Sequence, residues 1–125
     1  MWYSYITIQQ SDDGAITAKV TTDSQSPWFA GHFPGDPILP GIAQLKMVTD
    51  VIAKALEKDL HLIGLTRIKF KKLIRPGVML DIHASSTKQE NNFSFRITSN
   101  RENVCSGTLT LAAKQEVEIH QSTLT

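Results

Sequence analysis

Trp28-Phe29-Ala30-Gly31-His32-Phe33-Pro34-Gly35-Asp36-Pro37-Ile38-Leu39-Pro40-Gly41-Ile42-Ala43-Gln44-Leu45-Lys46 is the stretch on which the reading of this chain turns. It sets three prolines, three glycines and a histidine directly before the one convincing helix pattern. Proline fixes φ and suits the first position of a helix, so the backbone has few ways to run here and delivers His32 to the helix N-terminus. Restricting a chain in this way costs entropy and is expected to serve a site.

Outward from this stretch, the spacing predicts a helix over 40–58. Ile42, Leu45, Val48, Thr49, Ile52, Ala53, Ala55 and Leu56 are expected on its core side, with Ala43, Met47, Asp50, Lys54, Glu57 and Lys58 opposite. Before it, 2–9 and 15–22 alternate between apolar or β-branched and polar residues about a Ser11-Asp12-Asp13-Gly14 turn, which predicts a hairpin. After it, the period becomes two. Strands are predicted over 62–70, 78–87, 93–99 and 104–113, and the short breaks between them predict an antiparallel meander. The last ten or so residues, from about 115, lose the pattern and are expected to form a loose tail. One long helix between a hairpin and a run of strands predicts an α+β domain spanning 1–125, with the antiparallel sheet wrapped around the helix.

The bulk properties narrow the function. A chain of 125 residues with 41% hydrophobic and 20% charged residues fits one globular domain. The net charge of +1 and the absence of aromatics interleaved with Arg67, Lys69, Lys71, Lys72 and Arg75 argue against a nucleic-acid partner. Cys105 is the only cysteine, so no intrachain disulfide forms, and no Cys/His spacing resembles a metal site. A reducing, cytoplasmic setting is expected. The N-terminus lacks a basic region followed by an apolar run, and no apolar run reaches the roughly 20 residues of a membrane span. A protein that keeps its N-terminus and does not cross a membrane is therefore expected.

The central stretch resembles a known family. Gly31-His32-Phe33-Pro34-Gly35-Asp36-Pro37-Ile38-Leu39-Pro40-Gly41 matches, at every fixed position, the His-Phe-Pro-Gly-x-Pro-x-x-Pro-Gly signature of the hot-dog 3-hydroxyacyl-acyl-carrier-protein dehydratases of type II fatty acid synthesis. A weaker similarity runs through Ile68-Lys69-Phe70-Lys71-Lys72-Leu73-Ile74-Arg75-Pro76-Gly77. The resemblance implies a single hot-dog domain that pairs edge to edge into a homodimer or higher oligomer, with an acyl thioester on acyl carrier protein or coenzyme A as substrate and no cofactor. It implies His32 as the base that takes the α-proton and the Gly41 N–H as donor to the thioester oxygen, with Phe33, Pro34, Gly35, Pro40 and Ile42 lining the substrate. The chemistry fits these roles. Imidazole titrates near neutral pH, and unspent N–H groups at a helix start stabilise a developing oxyanion.

The main departure is at position 46. Fourteen residues after the histidine the family carries Glu or Asp, and here the residue is Lys46. Three readings stay open: a residue that flanks the core with its stem packed and its ammonium in water, a lysine that donates to the departing hydroxyl, or a fold whose elimination chemistry is lost. The last covers an acyl-thioester-binding or scaffold protein, including one that pairs with an active paralogue in a heterodimer, and a hot-dog thioesterase. Asp50, one turn on, reads as a solvated surface aspartate, as a partner of Lys46 or as a displaced carboxylate. Gln44 is expected to project away from Lys46. His61, His83 and His120 are expected to be structural or exposed, and Cys105 to be a buried or half-buried thiol.

Overall fold

The computed structural model describes residues 3–23 and 39–113. Six strands and one helix follow in the order β1 (Tyr3–Gln10), β2 (Ile16–Thr22), α1 (Gly41–Leu56), β3 (Leu60–Phe70), β4 (Met79–Ser86), β5 (Asn92–Ser99) and β6 (Glu102–Ala113). The strands form one antiparallel sheet in the order β1-β2-β4-β5-β6-β3. This is the expected α+β hot-dog arrangement, a sheet curled about a single central helix. The expected loose tail lies outside the described residues.

The turns explain the hairpins. At the β1–β2 turn, Gly14 takes φ +89°, its N–H donates to the Ser11 carbonyl at 2.9 Å, and the Ala15 N–H donates to Asp13 Oδ1 at 3.1 Å. The Ser11 hydroxyl also donates to the Asp13 carboxylate, and these two bonds, Ser11 first, hold the Asp13 carboxyl below the ordinary carboxylate range. Asn100 (φ 52°) and Arg101 (φ 68°) connect β5 to β6 in a two-residue turn with both central residues left-handed. That twist suits a tight hairpin.

Two expectations are corrected. The four later strands are not a simple meander: β4, β5 and β6 pair consecutively, but β3 pairs with β6 at the far edge, and β4 lies beside β2. The connection from 71 to 78 is too long for a hairpin. It buries Ile74 in the core, accepts the Leu39 N–H on the Ile74 carbonyl at 2.7 Å, and so carries the chain across the helix start to the other side of the sheet.

The helix also differs in its bounds and at three positions of its face. It runs from 41 to 56 rather than 40 to 58, because Pro40 is its N-cap in extended conformation (φ −61°, ψ 152°) and Glu57 ends it in the left-handed region (φ 55°). Ala43 and Met47, expected outside, are fully buried, while Ile42, expected inside, is 60% exposed. A curled sheet covers most of the helix circumference, so Ala43, Gln44, Leu45, Met47, Val48, Thr49, Val51 and Ile52 are all buried. An exposed row runs along the helix through Ile42, Lys46, Asp50 and Lys54. The inward residues that pack on the helix alternate along the strands: Ile16, Ala18 and Val20 on β2, Leu80 and Ile82 on β4, Phe93, Phe95 and Ile97 on β5. Among the described residues no helix is long and apolar enough to cross a membrane.

Candidate active site

The start of α1 is built without a side-chain cap. Pro40 offers only its carbonyl, which accepts the N–H groups of Ala43 (3.1 Å) and Gln44 (3.2 Å), and no acidic residue stands in the first turn. Among the described residues nothing accepts a bond from the N–H of Gly41 or Ile42. Two donors at the positive end of the helix dipole thus have no acceptor among the described residues, which is the electrostatic requirement for holding a developing oxyanion. Gln44 fastens this start from below: it is buried, as its expected direction away from Lys46 requires, and its Nε2 donates to the Leu39 carbonyl at 3.2 Å. Its Oε1 is buried without a partner.

Gly41 has a packing reason that the sequence does not display. A Cβ at this position would stand 2.7 Å from Cζ of Phe70, at the end of β3, so any larger residue requires this half-exposed ring to shift. On its Cβ side the nearest atoms are those of the Phe70 ring.

His32, Phe33, Pro34 and Gly35 lie outside the described residues, as do Trp28, Phe29 and His120. Of the expected site, Pro40, Gly41, Ile42 and Lys46 are described: Pro40 and Gly41 form the start of α1, and Ile42 and Lys46 lie one turn apart on its exposed row. Ile42, Lys46, Thr49 and Asp50 of the helix face Leu60, His61 and Leu62 of β3 across a cleft of about 340 Å³. A volume of this order accommodates a small acyl group. The wall is apolar at Ile42, Leu60 and Leu62 and polar at Lys46, Asp50 and His61.

Asp50 is the best-anchored polar group in the cleft. Its Oδ2 accepts a 2.7 Å bond from the hydroxyl of Tyr3, a residue of β1 whose ring is buried. Its Oδ1 faces Lys46 Nζ at 3.8 Å, with the Lys46 side chain 60% and the Asp50 side chain 36% exposed. Asp50 is therefore neither a free surface aspartate nor simply the partner of Lys46. His61, expected to be structural or exposed, lines the cleft with its Nδ1 buried and unpartnered. Sequence reasoning missed the Tyr3 contact because 47 residues separate it from Asp50. The period-two pattern of β1 was the available signal, since it places Tyr3 on the inward face.

The remaining candidates lie elsewhere. Cys105 is fully buried, and burial pushes its thiol up to about 11. His83 stands on β4, paired with Thr17 on one side and Arg96 on the other. In the basic segment, Lys72 pairs with Glu102, and Arg67 occupies a β-bulge at φ 59°. No group of three His, Cys, Asp or Glu side chains able to hold a metal occurs among the described residues.

With this geometry in hand, a family model for the ApeI dehydratase matches residues 8–108. The chain belongs to the ApeI-like dehydratase family. Among curated relatives it is 31% identical, over 86 residues and 62% of its length, to the 3-hydroxyacyl-[acyl-carrier-protein] dehydratase FabZ of Rickettsia bellii, and it spans 59% of that relative. The FabZ of Rickettsia akari is 30% identical over 101 residues, covering 72% of this chain and 70% of the relative. Among solved structures, the dehydratase heterocomplex ApeI:P from Xenorhabdus doucetiae superposes with a TM-score of 0.78 at 24% identity, covering 90% of this chain and 99% of the other. That likeness supports the hot-dog fold.

Proposed function

We propose that this ApeI-like protein removes water from a 3-hydroxyacyl thioester, carried on acyl carrier protein or coenzyme A, to give the 2-enoyl thioester. The observation that carries the reading is the start of α1, where the His32-to-Gly41 motif runs into two backbone donors without an acceptor among the described residues, beside an apolar-walled cleft. In the reaction, His32 takes the α-proton, and the electron pair of that C–H bond moves toward the carbonyl as an enolate. The Gly41 N–H donates to the enolate oxygen. The charge then returns to form the Cα–Cβ double bond as the C–O bond at carbon 3 breaks, and the hydroxyl departs as water with a proton supplied from the cleft. Phe33, Pro34, Gly35, Pro40 and Ile42 line the substrate, and Lys46 stands where the departing hydroxyl is handled. No cofactor is needed, because the overall change is an elimination without redox.

The assembly is read as a homodimer joined through β3. Ile63 (58% exposed) and Leu65 (49% exposed) present apolar side chains along an edge strand, the arrangement that a second strand would cover. A cytoplasmic setting accords with one free, buried thiol.

Lys46 in place of a carboxylate favours a second reading, in which the domain binds acyl thioesters without eliminating water and supports an active paralogue. Turnover of 3-hydroxyacyl thioesters, followed by the absorbance of the conjugated product, separates the two. The dehydratase reading expects product from the wild type and none from His32→Ala. Absence of product from the wild type, with acyl-thioester binding intact, favours the binding protein.

A further inference from the structure

The cleft presents Lys46 and Asp50 as a pair that does not close on itself. Their separation of 3.8 Å is beyond the 2.7–3.2 Å of an N–H···O hydrogen bond, although neighbours at i and i+4 on a helix reach each other readily. The carboxylate is not free to move nearer, because its other oxygen is held by the Tyr3 hydroxyl at 2.7 Å. Such a bond to a charged acceptor is among the stronger ones a protein makes. Two groups 3.8 Å apart can both be reached by one oxygen about 2.8 Å from each, at the wall of the cleft that Lys46 and Asp50 line.

We propose that Lys46 and Asp50 together bind the 3-hydroxyl of the substrate, with Tyr3 as the positioning residue that fixes Asp50. The proposal rests on the dehydratase reading for its substrate. A protonated carboxylic acid both accepts from and donates to a hydroxyl, and here those two tasks are divided. The Asp50 carboxylate accepts the hydroxyl O–H, and the Lys46 ammonium donates to the hydroxyl oxygen. During elimination the C–O bond breaks, Lys46 gives its proton to the departing oxygen, and water leaves. The α-proton remains on the base, and exchange with solvent returns both groups to their starting states. The apolar wall of Ile42, Leu60 and Leu62 takes the adjoining carbons.

The test is a binding difference, read in a His32→Ala background to prevent turnover. The probes are 3-hydroxyoctanoyl-CoA and octanoyl-CoA, which differ by the one hydroxyl. The expected result is about tenfold tighter binding of the hydroxylated ligand in the parent. Asp50→Asn and Lys46→Met should each remove most of that preference. Tyr3→Phe, which keeps the buried ring and loses only the hydroxyl, should cut it about threefold. Octanoyl-CoA should still bind all three variants, which reports that the site is folded, and the preference is read as the ratio of the two affinities within each variant. A parent without the preference, or a preference that persists in Asp50→Asn and Tyr3→Phe, overturns the proposal. The two readings fail separately: a wild type that never forms product but retains an Asp50- and Tyr3-dependent preference loses the dehydratase reading and keeps the hydroxyl site. His32-dependent turnover without any preference does the reverse.

Discussion

Position 41 shows how a motif can single out a residue while leaving its packing unseen. The motif singles out Gly41 and implies a backbone donor, but nothing within ten residues discloses that the Phe70 ring occupies the place of its side chain. Sequence separation hides such a contact, just as it hides the Tyr3 hydroxyl from Asp50. Gly41→Ala is expected to destabilise the fold by about 1 kcal/mol, the lower end of overpacking, because the half-exposed Phe70 ring can move aside. Adding Phe70→Ala should recover much of this loss in a thermal melt, and a double variant no more stable than Gly41→Ala would show that the ring is not what excludes a side chain. Cys105 gives a pH-dependent counterpart. Its folded thiol keeps its proton to about 11 against an ordinary value of 9.0, so between these values the folded state holds more protons than the unfolded one. The stabilisation is fully present below 9.0 and is lost as pH rises toward 11. Denaturant melts across this window should show a steeper loss for the wild type than for Cys105→Ala, and equal slopes would remove the thiol as the cause.

Helix α1 was legible as a helix, and its apolar spacing and capless Pro-Gly start locate its beginning within one residue. Its phase was legible at Leu45, Val48, Thr49, Ile52, Lys54 and Glu57, but not at Ala43, Met47 and Ile42. An amphipathic pattern presumes one wet side, whereas this sheet curls so far that small or flexible residues such as Ala43 and Met47 are buried where charged neighbours had suggested solvent. The same curl leaves Ile42 outside, at the cleft. Met47→Ala is therefore expected to cost about 2–5 kcal/mol, and Ile42→Ser less than about 0.5 kcal/mol. Chemical denaturation of the two variants decides the matter, since a helix in the opposite phase would reverse their order. The strands were legible to within about two residues because period two and the Ser11–Gly14 and Asn100–Arg101 turns are local signals.

In the whole molecule, the order of strands was the part that local signals misplaced. Turn composition indicates that a chain reverses, but not which neighbour it joins, and the 71–78 connection passes over the helix start instead of closing a β3–β4 hairpin. This crossover puts β3 at an edge with Ile63 and Leu65 uncovered, so Ile63→Lys with Leu65→Lys should convert a dimer to monomers in sedimentation experiments. An unchanged mass would place the subunit contact elsewhere. The crossover also brings β3 beside the exposed row of α1, which creates the cleft of Ile42, Lys46, Asp50 and His61. The site is thus a property of topology as much as of motif. The most direct test of the central claim is the rate at which the wild-type protein forms the conjugated 2-enoyl product from short and medium 3-hydroxyacyl thioesters, measured beside His32→Ala. The account predicts product from the wild type and its loss in the variant; equal rates from both, or none from a wild type that still binds the thioester, would contradict it.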